Sequence, residues 1–260
     1  MTDRDRPFQD PDETLLWDPA EARRAAVPPT AAPPPRPARR RRWVRVAKWV
    51  LGIFLAYYLF CVLLLVVYRF ANPPTTGVRI ERRIQAWAAG REYEVTREYV
   101  ALEDLPRHVP RAVVSAEDGD FWNHWGFDLG AMRAAQREAV GGVRLRGAST
   151  ITQQLMKNLF GCTCRNPVRK VYDLALTPAA ELILGKNRIL EIYLNEVEWG
   201  KGVYGVGAAA REHYDVSARR LTRTQAAGLA ALLPNPRQRT PRNTGEYRRQ
   251  ILRRMTFKGW

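Results

Sequence analysis

The feature that most constrains the fold of this chain is a stretch without charged residues between Lys48 and Arg69. It runs from Trp49 to Tyr68 and is almost entirely apolar or aromatic. About 20 residues at roughly 1.5 Å of rise each span about 30 Å, the thickness of the hydrocarbon core of a bilayer. A cleavable signal peptide fits less well, because the apolar run is long and no A-x-A site follows it. The sequence therefore predicts a transmembrane helix over residues 43–70.

The segment before this helix predicts its orientation. Residues 1–42 are rich in Pro, Ala, Asp and Arg and offer little apolar surface to bury, which predicts a disordered tail. The basic block Arg39–Arg42 stands directly before the span, and such blocks stay in the cytoplasm. We therefore expect a single-pass protein of the cytoplasmic membrane. Its N-terminus is cytoplasmic, and everything after Arg69 is extracytoplasmic.

Residues 71–95 form a juxtamembrane segment between the span and the rest of the chain. Ile80, Ile84 and Trp87 recur at helical spacing among charged residues, which predicts an amphipathic helix. That helix could lie on the bilayer or pack against the following domain, and the pattern does not separate the two.

Two adjacent acids mark the first candidate site. The apolar run from Val109 to Val114 leads into Glu117 and Asp118, and Pro110 suits the first turn of a helix. Glu117 is thus predicted at the buried end of a helix, where desolvation can tune a carboxyl group. The aromatic residues that could wall a cleft around it follow at once: Phe121, Trp122, His124 and Trp125.

The second candidate site is the polar face of a helix within residues 147–160. At 100° per residue, four polar side chains share that face, while Ile151, Leu155 and Leu159 form the adjoining apolar face. The polar set is Thr150, Gln153, Gln154 and Lys157. Thr150 and Gln153 also fit a capping box, which places the start of the helix here. Hydroxyl, amide and lysine groups beside a helix N-terminus suit a ligand rich in phosphate or sugar hydroxyls.

Together these two stretches resemble the peptidoglycan glycosyltransferases, family 51 of the glycosyltransferases. The family pattern G-x-S-T-I-T-Q-Q-L-x-K-N-L is matched from Gly147 to Leu159, and the resemblance covers roughly residues 96–241. The pattern E-D-x-x-F-x-x-H-x-G is matched by Glu117, Asp118, Phe121, His124 and Gly126. The substrate-binding residues that the resemblance implies are Asp118, Phe121, His124, Ser149, Thr150, Gln153, Gln154, Lys157, Asn158, Arg169 and Lys170.

The extramembrane part, residues 96–260, is predicted to be one mostly α domain, because helical patterns dominate and strand signals are scarce. The resemblance implies a lysozyme-like domain with a small membrane-facing lobe. Lys186 to Asn195 is predicted as a buried structural helix, with Glu191 and Asn195 in structural roles, and the Gly-rich run after Gly200 as a place of close packing. The predicted helices are Gly130–Val140, Ser149–Phe160, Val168–Leu184, Lys186–Glu198, Gly205–His213 and Thr222–Leu233.

The family reaction joins lipid-linked disaccharide–peptide units, and its chemistry implies roles for three kinds of residue. The 4-hydroxyl of the acceptor sugar is a poor nucleophile, so a carboxylate must take its proton, and Glu117 matches that base. A polyprenyl pyrophosphate leaves, and cations must stabilise its charge. Lys157, Arg169 and Lys170 are placed for that task. Inversion at carbon needs one displacement, so no covalent intermediate is expected.

At Asp173 the chain departs from its family. The family pattern R-K-x-x-E continues from Arg169 and Lys170 to a second essential glutamate, but this chain has the shorter aspartate. A carboxylate withdrawn by roughly 1.5 Å can cost about 100-fold in rate. We assign Asp173 as the second catalytic acid, with Glu181 as the next candidate. No cofactor is required, although Asp173 could hold a divalent cation such as Mg or Mn.

The balance of charge favours anionic partners. Of the net charge of +16, residues 1–48 contribute only about +4, with eleven basic and seven acidic residues. An extracytoplasmic domain rarely meets nucleic acid, so a membrane surface and pyrophosphate fit better. The expected partners are lipid II, the growing lipid-linked glycan chain, the membrane, and other proteins of cell wall synthesis or division.

Two other functions stay open at this point. A lytic glycosidase could use one glutamate in a similar cleft, but it has no need for cations around a pyrophosphate. A membrane-anchored scaffold protein of the cell wall machinery, with Asp173 marking impaired catalysis, is the other alternative. Cys162 and Cys164 could form a local disulfide or stay as free thiols, and Cys61 is predicted to act as a small apolar side chain.

Overall fold

The computed structural model describes residues 37–140, 149–164 and 166–260. The predicted tail, residues 1–42, lies almost wholly outside the described residues, as does Gly147 of the second motif. The described part of the chain divides into two units, with the boundary between Leu51 and Gly52. The helices are α1 (Pro37–Phe70), α2 (Gly77–Ala88), α3 (His108–Glu117), α4 (Leu129–Val140), α5 (Ile151–Phe160), α6 (Pro167–Glu196), α7 (Val206–Tyr214), α8 (Arg223–Ala230) and α9 (Gly245–Phe257). The prediction of a mostly α fold is confirmed.

Among the described residues, α1 contains one stretch that is long and apolar enough to cross a membrane, Arg42–Phe70, which includes an 18-residue window with a mean hydropathy of 2.8. From Gly52 onward this helix also packs against the domain. Cys61 and Leu65 are fully buried, and the Tyr57 hydroxyl donates to the carbonyl of Phe160 at 2.9 Å. The part of this helix from Gly52 onward therefore contributes to the core of the domain.

Helix α2 has two different faces. Thr76 caps its N-terminus by accepting from the backbone N–H of Arg79, and Arg79 and Ala86 are buried against the domain. On the opposite face Ile80, Ile84 and Trp87 remain 48%, 57% and 81% exposed. Packing against the domain is thus confirmed for one face. Contact of the other face with a bilayer stays a prediction.

The domain core is centred on the packing of α5 against α6. Asn166 caps α6 by accepting from the N–H of Val168 at 2.8 Å, and Pro167 occupies the first turn, where its missing N–H leaves no bond unmade. Gly185 interrupts α6 with φ 71°, a conformation that favours glycine. The two helices predicted on either side of residue 185 are therefore present, joined by a kink.

A small sheet of three short strands completes the domain. Strand β1 (Thr96–Arg97) pairs parallel to β3 (Val203–Tyr204), and β2 (Glu198–Gly200) pairs antiparallel to β3. The predicted close packing of the Gly-rich run is confirmed, because a Cβ on Gly207 would lie 2.6 Å from the carbonyl oxygen of Glu98.

Helix α9 was not predicted from the sequence. It buries Ile251 and Met255 completely and packs against α3 and α8. Its apolar side chains are separated by Arg pairs, so its periodic signal is weak. The described cysteine pair, Cys162 and Cys164, is joined as a disulfide, and Cys61 is buried among apolar side chains as predicted.

Candidate active site

Glu117 is the last residue of α3. Buried Ala112, Val113 and Val114 hold this helix in the core, so the acid emerges at its C-terminal end, as predicted. The Nε2 group of Gln154 on α5 donates to Glu117 Oε2 at 2.8 Å. Burial raises the pKa of Glu117, while the hydrogen bond from Gln154 and the nearby Lys157 oppose that rise. A carboxyl group with a raised pKa is better matched to accepting a proton near neutral pH.

Helix α9 holds the backbone on both sides of Glu117. The Tyr247 hydroxyl donates to the carbonyl of Ala116 at 3.0 Å, and Arg254 Nη1 donates to the carbonyl of Ser115 at 3.1 Å. Lys258 Nζ, just after α9, donates to the carbonyl of Gly119 at 2.6 Å. These bonds satisfy carbonyls that the end of a helix leaves without partners. They also fix the position of the Glu117 backbone.

Asp118 joins the first motif to the second. Its Oδ2 accepts from the backbone N–H of Ile151 at 2.9 Å, and its Oδ1 lies 2.8 Å from His124 Nε2. Since His124 Nδ1 accepts from the N–H of Gly126 at 3.0 Å, the imidazole proton lies on Nε2 and points to Asp118. Asp118 is buried, so its role in this structure is to connect the loop after α3 with the start of α5.

Thr150 and Gln153 form only half of the predicted capping box. The Thr150 hydroxyl accepts from the Gln153 N–H at 3.3 Å, but the Gln153 side chain donates to the carbonyl of Gly126 at 3.1 Å. Gly126 has φ 76°, and a Cβ there would lie 2.2 Å from Thr177 Cγ2, so glycine is required. The amide of Gln153 thus stabilises the loop around Gly126.

A cluster of cations surrounds Asp173 on the first turns of α6. Arg169 Nη1 lies 2.7 Å from Asp173 Oδ2, and Lys170 Nζ donates to Ser149 Oγ at 3.2 Å. Burial raises the pKa of Asp173, and Arg169, Lys170 and Lys157 oppose that rise. Burial also lowers the pKa of Lys157, and repulsion from Arg169 adds to that effect. We call Lys157, Arg169, Lys170 and Asp173 the α6 charge cluster, and its net charge is +2.

The charge of this cluster bears on the divalent cation considered for Asp173. Three cations around one carboxylate attract an anion and repel a free metal ion. In addition, no group of three or more His, Cys, Asp or Glu side chains converges within the described parts of the chain. The residues present therefore do not fit a resident metal ion, and no step below depends on one.

Glu181 lies further along α6, and its carboxyl group bonds to other side chains of the domain. Its Oε1 accepts from Thr152 Oγ1 at 2.6 Å and from Lys186 Nζ at 2.8 Å. Lys186 Nζ also sits 4.4 Å from the ring centroid of Phe121. Phe121 is completely buried, so in this structure it supports the loop from beneath and has no surface to offer a substrate. The aromatic residues exposed beside it are Trp122 and Trp125.

Three contacts near Glu117 come from residues that the motifs did not single out. Tyr193, predicted only as part of a buried helix, donates its hydroxyl to Gln154 Oε1 at 2.9 Å. Tyr247 reaches Ala116 from α9, and Arg239 adds positive charge near Glu117. Asn158, taken from the family pattern, donates to the carbonyl of Gln154 at 2.8 Å. A buried Tyr within an apolar helix was the one available signal, because its hydroxyl needs a partner.

Comparison with known proteins identifies the family of this chain. The family model described as Transglycosylase matches residues 83–256. A biosynthetic peptidoglycan transglycosylase of Pseudomonas putida is 46% identical over 175 residues, which cover 67% of this chain and 74% of the relative. Relatives of the same name come from Stutzerimonas stutzeri, 47% identical over 177 residues (68% and 73% of the two chains), and Pseudomonas fluorescens, 42% identical over 197 residues (76% and 79%). The chain therefore belongs to the transglycosylase family.

Proposed function

We propose that this protein is a peptidoglycan glycosyltransferase that polymerises lipid II into glycan strands for the cell wall. One observation supports the proposal most strongly. Lys157 on α5 lies close enough to Glu117, Asp173 and Arg169 for the charges of all three to shift its pKa. A carboxyl group suited to accept a proton therefore lies beside a cluster suited to bind pyrophosphate. The names of the curated relatives support the same substrate class.

In the proposed reaction, Glu117 accepts the proton of the 4-hydroxyl of the acceptor sugar as that oxygen attacks the anomeric carbon of the donor. The bond from the anomeric carbon to pyrophosphate breaks in the same displacement, which inverts the configuration. A general base of this kind contributes about 10² to 10⁴ in rate. Burial of the Glu117 carboxyl group and the hydrogen bond from Gln154 to its Oε2 hold the carboxylate of the base in one place.

The leaving polyprenyl pyrophosphate gains negative charge, and the α6 charge cluster stabilises it. Lys157 and Lys170 are half-buried, so water screens them less than it screens surface charges. Asp173 holds Arg169 by their ion pair and limits repulsion among the cations. A glycosidase has no anionic leaving group of this kind, and the cluster therefore supports the transferase over the lytic enzyme.

The direct test is to incubate the purified full-length protein with labelled lipid II and to separate the products by size. We expect polymer, with one polyprenyl pyrophosphate released for each glycosidic bond formed. Cleavage of preformed glycan without polymer would instead identify a lytic enzyme. Lipid II binding without either product would identify the scaffold protein.

The α6 charge cluster should act on the donor. Replacing Lys157 or Arg169 with alanine should weaken binding of a phosphoglycolipid inhibitor that mimics the donor by about tenfold or more, since each change removes a charge-assisted contact. The measurement is inhibitor affinity, supported by donor use in the polymerisation assay. Lys201→Ala, which removes an exposed lysine elsewhere, is the matched control. Unchanged inhibitor affinity in both variants would assign the cluster to solubility or membrane attachment.

We further propose that α1 anchors the protein in the cytoplasmic membrane with the N-terminus inside and the catalytic domain on the periplasmic side. Arg39–Arg42 before the span supports that orientation. Reporter enzymes fused after residue 75 should be active only when the reporter requires export. Activity of a cytoplasm-dependent reporter at the same position would contradict both the topology and the assignment of an extracytoplasmic substrate.

A further inference from the structure

A buried chain of hydrogen bonds reaches Glu117 from the interior of the domain. Tyr193 on α6 donates its hydroxyl to Gln154 Oε1 at 2.9 Å, and Gln154 Nε2 donates to Glu117 Oε2 at 2.8 Å. Tyr193 is 1% exposed, so the chain begins where water cannot replace it. Each group thus donates toward the carboxylate.

The direction of this chain follows from what each group can do. An ionised carboxylate only accepts, so it must face the NH₂ group of Gln154, which leaves Oε1 facing the interior. A buried amide oxygen without a donor is costly, and among the described residues Tyr193 is the donor that it has. Burial raises the pKa of Tyr193 well above its ordinary value, so the hydroxyl keeps its proton at working pH. Successive bonds in one direction also polarise one another.

We propose that Tyr193 is a positioning residue, which acts through Gln154 to hold Glu117 ionised and aimed at the acceptor hydroxyl. The proposal rests on the proposed role of Glu117 as the base. With Oε2 occupied by Gln154, the other carboxylate oxygen is left to receive the proton. Without the Tyr193 hydroxyl, the amide loses the bond that fixes its orientation. The Gln154 oxygen can then turn toward the carboxylate, which favours a protonated Glu117.

Charged and titratable groups from several elements also act on Glu117. Burial raises the pKa of Glu117 and Asp118 adds to that rise, whereas the hydrogen bond from Gln154 and the positive charges oppose it. The groups are Asp118, Lys157, Tyr193, Arg239 and Tyr247. The hydrogen bonds from Tyr193 through Gln154 come from uncharged side chains, so they can be removed without changing any formal charge near Glu117.

The test is the change Tyr193→Phe in the full-length enzyme, with lipid II as substrate from about pH 5 to about pH 9. The rate near neutral pH should fall about tenfold, and the acid limb of kcat/KM should move up by about one pH unit, the size expected if Gln154, no longer fixed by Tyr193, stops donating to the carboxylate. KM should change little. Tyr214→Phe removes a hydroxyl that has no partner among the described residues, and its profile should match the parent.

A double-mutant cycle separates positioning from general stability. In a Gln154→Leu background the hydroxyl has nothing left to orient, so adding Tyr193→Phe should change the rate less than about twofold. If the two effects multiply, or if the acid limb stays in place at equal folded fraction, Tyr193 is only structural and the proposal is wrong. If Glu117→Gln itself stays active, the assigned base is wrong instead, and the two failures are distinguishable.

Discussion

Replacing Glu117 with glutamine is expected to lower polymerisation at least about a hundredfold, because the acceptor hydroxyl then has no base to take its proton. The fold should persist. The amide is nearly isosteric with the carboxyl group, and its oxygen can still accept from Gln154 Nε2. The measurement is the rate of polymer formation from lipid II, together with a thermal unfolding curve. Glu103→Gln, the same change at an exposed glutamate, is the control.

The stability of this variant should also change in a definite direction. Burial raises the pKa of Glu117 in the folded state above its unfolded value. Such a group favours folding below the unfolded pKa, and that contribution is lost as the pH rises through the folded pKa. At neutral pH the glutamine variant should therefore be at least as stable as the parent. A full rate with an unchanged unfolding curve would remove Glu117 from the role of base.

Replacing Asp173 with asparagine is expected to cost at least about tenfold in rate, which is about 1.4 kcal/mol in the activation barrier. The change leaves Arg169 without its partner at 2.7 Å and gives the α6 charge cluster three cations without a carboxylate. Repulsion among them should displace the groups that bind pyrophosphate. The measurement is kcat and KM with lipid II. If this variant is silent, the second acid lies elsewhere, and Glu181 is the next candidate.

The reverse change, Asp173→Glu, restores the residue typical of the family and tests whether this site is impaired. We expect less than about a tenfold change in either direction. The backbone around Asp173 already holds the shorter side chain close to Arg169, and a Cβ on Gly161, just after α5, would lie 3.4 Å from Asp173 Oδ1. A hundredfold gain in rate would show that the native site is a poor catalyst, and the scaffold protein would then become the better description.

Local patterns in the sequence predicted much of this fold. The apolar spacing around Leu155 and Leu159 predicted α5, and the separate helices on either side of Gly185 were visible because glycine interrupts the period. The family motifs also singled out Glu117, Lys157 and Asp173, and in the structure the charges of Glu117 and Asp173 both act on the pKa of Lys157. The helices depend on residues close together in sequence, and each motif is itself a short run, so both can be recognised from the sequence alone.

Long-range partners could not be predicted in the same way. Nothing local to Tyr193 says that it will meet Gln154, 39 positions earlier in the chain. Helix α9 was missed because its buried Ile251 and Met255 are set among arginines, so only packing reveals its apolar face. Some polar residues of the motifs are of types that often bind ligands, so their bonds to the backbone could not be predicted. In the structure, Asp118 and Gln153 instead hold backbone atoms of Ile151 and Gly126.

The packing of α1 against α6 fixes how far the chemistry lies from the anchor. The rings of Phe54 and Tyr57 lie 5.2 Å and 5.0 Å from the ring of Tyr172, and Tyr172 is the immediate neighbour of Asp173. The part of α1 from Gly52 onward therefore touches the same turn of α6 that is proposed to hold the pyrophosphate. Because these rings are packed together, the proposed pyrophosphate site keeps a constant distance from this part of α1. The donor and acceptor lipids must therefore reach a fixed site by lateral diffusion, and the growing glycan must move away from it as each unit is added.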